Sequence, residues 1–204
     1  MATETRRTRA TPMSPEQRRA AIVEATVPLL HRHGFDVSTR QIAEAAGIAE
    51  GTIFRVFEDK DTLLRQALEA ALDPGDAERR LAAIGADLPL EDRLLVATQI
   101  LHERLTGIFQ LMAAIGFQRP PGDDGRHDPP RHAGMMALLE ELVEPDRDRL
   151  RLPPAEVAHR LRILCFAGFH PFITDRTPMT PAGVVDLLLH GVLAPAAGSS
   201  DPSP

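Results

Sequence analysis

Of the 23 basic residues in this 204-residue chain, 22 are arginine and one is Lys60. Guanidinium groups are always charged and present a planar fork of donors that matches phosphates and the edge of guanine, so the arginines are the first residues to ask about. Arg6, Arg7 and Arg9 stand together in a threonine-rich arm without apolar pattern, the composition of a disordered segment that could reach into a DNA minor groove or remain a solvated tail. Other chemistries find less support. His31 and His33 are two apart and His127 and His132 five apart, so neither pair has the i, i+4 spacing of metal ligands on one helix face. Cys165 is the only cysteine, which rules out an internal disulfide and any multi-cysteine zinc site, and its apolar surroundings read as an inert core thiol. The run Asp123-Asp124-Gly125-Arg126-His127-Asp128 lacks the alternating ligands and terminal glutamate of a calcium loop. No Ser/His/Asp order, glycine-rich phosphate loop or carboxylate pair is recognisable, so no enzyme, cofactor or metal is expected.

The elements that position these arginines are helical. Ser14-Pro15-Glu16-Gln17 is a capping box with proline at the first helical position. It opens a helix carrying Ile22, Ala25, Leu29 and Leu30 as far as His33-Gly34, with a kink expected at Pro28. A second box, Ser38-Thr39-Arg40-Gln41, opens a helix of about two turns that Gly47 ends. Gly47-Ile48-Ala49-Glu50 must then turn sharply into another short helix, Thr52 to Phe57, after which Asp59 can cap a helix through Leu72. Two short helices joined by a glycine turn, with longer helices before and after, make the helix-turn-helix arrangement, whose second short helix enters the major groove. Phe35, Ile42, Ile48, Ile53 and Phe57 are its expected core.

Beyond Asp73-Pro74-Gly75, a long amphipathic helix is expected from Pro89, with Leu94, Leu101, Leu105, Ile108, Met112 and Ile115 on one face. Residues 119–132 break the pattern with four prolines and two glycines and read as a surface loop. Helical spacing resumes from Ala133 to Val143, from Pro154 to about His170 and, behind the cap Thr180, from Pro181 to Leu193. The last two helices are apolar on more than one face and imply a second burial surface. No alternating strand pattern appears, so the fold class is all-α.

Charge is distributed unevenly. Residues 1–40 hold seven bases and four acids, 41–72 three and six, and 73–204 thirteen and nineteen, so the excess behind the formal charge of −6 lies beyond residue 72. No apolar run approaches the roughly 20 residues that span a bilayer. With no basic-then-apolar opening segment, a cytoplasmic protein away from membranes is expected.

Gly34-Phe35, the run Ser38-Thr39-Arg40-Gln41-Ile42-Ala43-Glu44-Ala45-Ala46-Gly47-Ile48, then Gly51-Thr52-Ile53-Phe54-Arg55-Val56-Phe57 and Lys60 resemble the DNA-binding signature of the TetR family of bacterial transcriptional regulators. The resemblance covers about residues 14–64. It implies an all-helical homodimer with an N-terminal helix-turn-helix domain and a C-terminal ligand-binding and dimerisation domain. Carried over position by position, it implies that Arg40, Ala49, Glu50, Gly51 and Thr52 face bases or nearby phosphates, with Phe54, Arg55 and Lys60 beside them. Arginine can pair bidentately with guanine, Glu50 could accept from cytosine, Gly51 permits close backbone approach, and Thr52 and Lys60 can reach phosphate. Phe54 and Val56 depart from the family, which commonly has tyrosine at the first position and histidine or tyrosine at the second. The hydrogen bonds those side chains would give to phosphate are missing, each worth about 1 kcal/mol.

The expected organisation is therefore a disordered basic arm over 1–13, a helix-turn-helix domain over 14–58, a helical ligand-binding and dimerisation domain over 59–193, and a disordered tail over 194–204. The expected function is a dimeric repressor that binds a palindromic operator in double-stranded DNA and is released by a small, mostly apolar effector. The candidates for lining the effector site are His102, Phe109, Met112, Phe117, Met135, Met136, Phe166, Phe169 and His170. For the dimer interface they are Leu161, Leu164, Val184, Val185, Leu188, Leu189 and Val192. A regulator without effector, or one that activates, is the alternative, and a small helical enzyme a remote one.

Overall fold

The computed structural model describes residues 13–116, 118 and 133–191. Arg6, Arg7, Arg9, Phe117 and Val192, together with the expected arm, the proline-rich loop and the tail, lie outside the described residues. Two compact units are distinguished. One takes the described residues up to Leu72 together with those from Gln110 to Gln118; the other takes Asp73–Phe109 and the residues from Ala133 onward. Among the described residues the regular structure is helical throughout.

The first unit begins with α1 (Pro15–His33), and both predicted capping boxes that frame it are formed. Ser14 Oγ accepts from the Gln17 amide at 3.2 Å while the Ser14 amide donates to Gln17 Oε1 at 2.9 Å. Ser38 and Gln41 repeat the pair at 3.2 and 2.8 Å at the start of α2 (Thr39–Ala45). The helix α1 is continuous through Pro28. Pro28 and Glu24 are both exposed, so the carbonyl that loses its partner there is on the solvent side. Gly34 ends α1 at φ 56°, and a Cβ there would lie 2.5 Å from the Ala114 carbonyl oxygen, so only glycine fits. Gly47 makes the turn after α2 at φ 65° and leads to α3 (Glu50–Val56). The helix α4 (Lys60–Ala71) starts where Asp59 accepts from the Thr62 amide at 2.7 Å, a bond that also holds the Asp59 carboxyl below its ordinary range.

These helices close on Ile22, Leu30, Ile42, Ile53, Phe57, Leu63 and Leu64, all fully buried, with Leu111 from the long helix α6 (Leu90–Ala114) and Ile115 just after it. Each such side chain contributes about 1.5–3 kcal/mol by leaving water. Phe35 and Ile48 are half-buried against this core. The unit includes α4, which packs on α1, so it extends to Leu72, past the boundary at residue 58 expected from sequence.

The second unit contains α5 (Gly75–Ala82), most of α6 (Leu90–Ala114), α7 (Ala133–Val143), α8 (Pro154–Phe169) and α9 (Pro181–His190). The helix α5 was not expected; only Ala77 and Leu81, one turn apart, are buried in it, and two apolar residues make too faint a stripe to see in sequence. Helix α7 packs on α5 and α8, and α8 on α9. A charged side chain lies in this core: Arg93, 3% exposed, pairs with Asp146 and donates to the Ala86 carbonyl at 2.8 Å. Asp146 also accepts from Arg149 at 2.5 Å, and these two bonds, Arg149's first, hold its carboxyl below the ordinary range. Cys165 is fully buried, and burial pushes its thiol up to about 12.

Candidate nucleic-acid interface

Helix α3 has a buried side and an open one. Ile53 is fully buried, with Val56 and Phe57 behind it, so the residues that follow one another at i, i+3 and i+4 on the opposite side are exposed: Glu50, Gly51, Phe54 and Arg55. Ala49, the N-terminal flank, is exposed, and Thr52 is half-buried at the margin of this face. A Cβ on Gly51 would meet nothing within 4 Å, so the absence of a side chain there answers to no neighbour in the chain and leaves the backbone open to approach from outside. Arg40 is exposed in the first turn of α2, and among the described residues neither Arg40 nor Arg55 makes an ion pair.

Two of the expected polar readers are engaged within the chain. Glu50 Oε1 accepts from Thr39 Oγ1 at 2.5 Å, which ties the first turn of α3 to the first turn of α2. Lys60 is half-buried, and its ammonium donates to the Phe35 carbonyl at 3.0 Å, leaving two of its three donors for a phosphate. The C-terminal end of α3 is held by a residue that sequence reasoning missed. Arg19 donates through Nη2 to the Val56 carbonyl and through Nη1 to Gln66 Oε1 at 3.1 Å, with its guanidinium 4.5 Å from the centre of the Phe57 ring. A basic residue on an otherwise unremarkable stretch of α1 gave no signal of that role.

The candidates for an effector site divide between the units. Met112 packs against the core of the first unit. In the second, His102 lies 4.5 Å from Phe169 between ring centres, and Phe109 makes edge contacts with Phe166 at 5.4 Å and His170 at 4.6 Å. The His170 Nδ1 accepts from the Phe172 amide at 3.3 Å. Met135 is buried and Met136 half-buried in the same core cluster. A cavity of about 180 Å³ borders Arg93 of α6 together with Leu81, Leu138 and Leu142. None of the expected effector residues lines it.

Among the residues expected at a dimer interface, Leu161, Val184 and Val185 are buried within their own chain, while Leu164, Leu188 and Leu189 are half-buried against the same core. The large apolar side chains that this region leaves in water are Ile163 and Phe166, one turn apart on α8, and Phe172 and Ile173 just after it. Among the described residues no cluster of three or more metal-ligating side chains occurs, and no helix is long and apolar enough to cross a membrane.

The N-terminal helices and the fold have counterparts among known proteins. Residues 22–67 match the model of the tetR family of bacterial regulatory proteins. The chain is 30% identical over 103 residues to the HTH-type transcriptional repressor KstR of Mycolicibacterium smegmatis, an alignment that spans 46% of this chain and about half (50%) of that relative. In fold it is similar to the fatty acid degradation regulator FadR of Bacillus halodurans, with a TM-score of 0.56 at 17% identity over 91% of this chain and 98% of that one. FadR of Bacillus subtilis, in complex with stearoyl-CoA, gives 0.55 at 15% identity over 85% and 99%. A tetR-family transcriptional regulator of Streptomyces coelicolor gives 0.57 at 21% identity over 86% and 78%.

Proposed function

Because residues 22–67 match the model of the tetR family of bacterial regulatory proteins, we propose that the chain is a transcriptional repressor of that family that binds a palindromic operator as a homodimer and is released by a small, mostly apolar effector. The observation that carries the DNA-binding part is the open face of α3. It is the one side of a seven-residue helix that the unit leaves without packing, it has a glycine with free space above it, and Arg55, which makes no ion pair among the described residues, lies on it with Arg40 on the neighbouring helix. A helix so presented enters the major groove, where Arg40 can meet guanine and the Thr52 hydroxyl a phosphate.

Two copies are needed because one short helix reads too few base pairs. A two-fold dimer places its recognition helices about 34–36 Å apart, one turn of DNA, or a multiple of that. The exposed Ile163 and Phe166 on α8, beside the half-buried Leu164, supply an apolar surface that a second copy would cover. Repression and release follow the population-shift rule: an effector that prefers the spacing that does not match DNA lowers affinity by its differential binding to the two states. The aromatic cluster in which His102 and His170 offer polar nitrogens supports an apolar ligand with a polar handle. The fold shared with the stearoyl-CoA complex supports the same class.

The test is selection from random DNA duplexes by the purified protein at low salt, followed by titration of the enriched duplex. Enrichment of a palindrome bound by two chains is the expected result. No enrichment of any sequence would overturn the reading.

A further inference from the structure

Among its described residues, the first unit packs its phenylalanines against the core with one exception. Phe57 is 1% exposed and Phe35 is half-buried against the core, whereas Phe54, in the middle of the open face of α3, is 53% exposed. Its neighbours on that face do not cover it. Gly51, one turn before, has no side chain and open space around it, and Glu50 is drawn toward α2 by its bond to Thr39. A phenyl ring held in water between a bare backbone and a tethered carboxylate forfeits the free energy of burial, and nothing in its own unit recovers it.

The chemistry of the ring limits what can. It has no donor or acceptor, so it reads neither a phosphate nor the polar atoms of a base edge. The major groove offers a side chain one apolar group, the C5-methyl of thymine. We infer that Phe54 is a specificity-determining residue that packs its ring on a thymine methyl in each half-site, selecting an A·T pair in one orientation at that position. Arg40 and Arg55, unpaired among the described residues, are the cations that hold the duplex against this face, and the open backbone at Gly51 lets the groove floor come close enough for ring and methyl to touch. The inference rests on the DNA-binding reading above and names one of the base contacts it requires.

The experiment is a deoxyuridine scan of the selected operator. Replacing thymine by uracil removes the methyl and leaves base pairing intact. For the full-length wild-type protein, one thymine per half-site is expected to lose about fourfold in affinity when replaced, the equivalent of one buried methyl group, and replacement in both half-sites about fifteenfold. Phe54→Ala is expected to bind the parent operator more weakly and to be indifferent to uracil at that one position, while keeping the wild-type response to changes elsewhere. Phe54→Leu, which keeps an apolar tip, is expected to retain part of the sensitivity. Because Phe54 is exposed, these variants are expected to melt as the wild type does, which separates a lost contact from a lost fold.

A flat uracil scan for the wild type overturns the inference. So does a selected operator without thymine, or a Phe54→Ala protein that keeps the full uracil penalty. In each of these cases the protein still binds a defined operator, so DNA binding itself stands. Failure of the wild type to select any sequence would instead sink the DNA-binding reading.

Discussion

Arg19 Nη2 donates to the main-chain carbonyl of Val56 at 2.5 Å, so a side chain from α1 closes the last turn of the helix that faces outward. Terminal carbonyls of a helix have no partner within it, and a cation there also complements the helix dipole. The Thr39 hydroxyl on Glu50 does the corresponding work at the other end, and a seven-residue helix too short to be stable alone is thereby fixed at both ends.

Replacing Arg19 by Met keeps the aliphatic packing and removes both donors. The expected outcome is a loss of about 1–2 kcal/mol in unfolding stability of the first unit and about tenfold weaker operator binding. The slope of log affinity against log salt should be unchanged, because no phosphate contact is lost. A slope lower by about one unit would make Arg19 a phosphate ligand instead.

Arg40→Ala is expected to lose about 1–3 kcal/mol of operator binding and to relax preference at one base pair per half-site, as measured by titrating a set of single-substitution operators. Equal loss on every duplex would assign Arg40 to the backbone of DNA rather than to a base.

Asp146 contributes to the response of the second unit to acid. Its bonds to Arg149 and Arg93 lower its folded-state pKa beneath the unfolded value of about 3.9, so the stabilisation is complete above that value and is lost as pH falls through the folded pKa. Urea midpoints are expected to fall as pH is lowered from about 5 toward 2, and less steeply for Asp146→Asn. At neutral pH Asp146→Ala strands the Arg93 charge in the core, at a cost of about 3 kcal/mol.

The Cys165 thiol, buried and pushed up to about 12, is expected to resist alkylation in the native protein at about pH 8 and to react once the second unit is unfolded in urea. Rapid labelling of native protein would show that α8 opens readily.

The local grammar of the first unit was legible from sequence because its signals are local. Ser14 with Gln17, Ser38 with Gln41, Asp59 as a cap and Gly47 in its turn each form as their types and spacing predict. The roles that escaped are those in which a polar side chain acts across a long stretch of chain. Arg19 reaches Val56 37 positions away, Arg93 reaches Asp146 53 positions away, and an arginine on a helix looks the same in sequence whether it reaches a partner or water. Lys60 and Glu50 show the same ambiguity, since each has a partner within the chain that spacing does not reveal. The second unit was legible as helices but not as a surface. Leu161, Val184 and Val185 are expected at a partner surface because α8 and α9 are apolar on more than one face; within the chain they are buried in its own core, and Ile163 and Phe166 are exposed.

The central claim, that the open face of α3 is where DNA lies, is tested most directly at Gly51. Space around this position is free, and leucine is a better helix former than glycine, so Gly51→Leu is expected to melt at or above the wild-type temperature, gaining about 0.5–1 kcal/mol. The same side chain would stand between the backbone and the groove, and operator affinity measured by fluorescence anisotropy is expected to fall at least about tenfold, a loss of about 1.4 kcal/mol or more. A Gly51→Leu protein that melts normally and binds the operator as tightly as wild type would contradict the account.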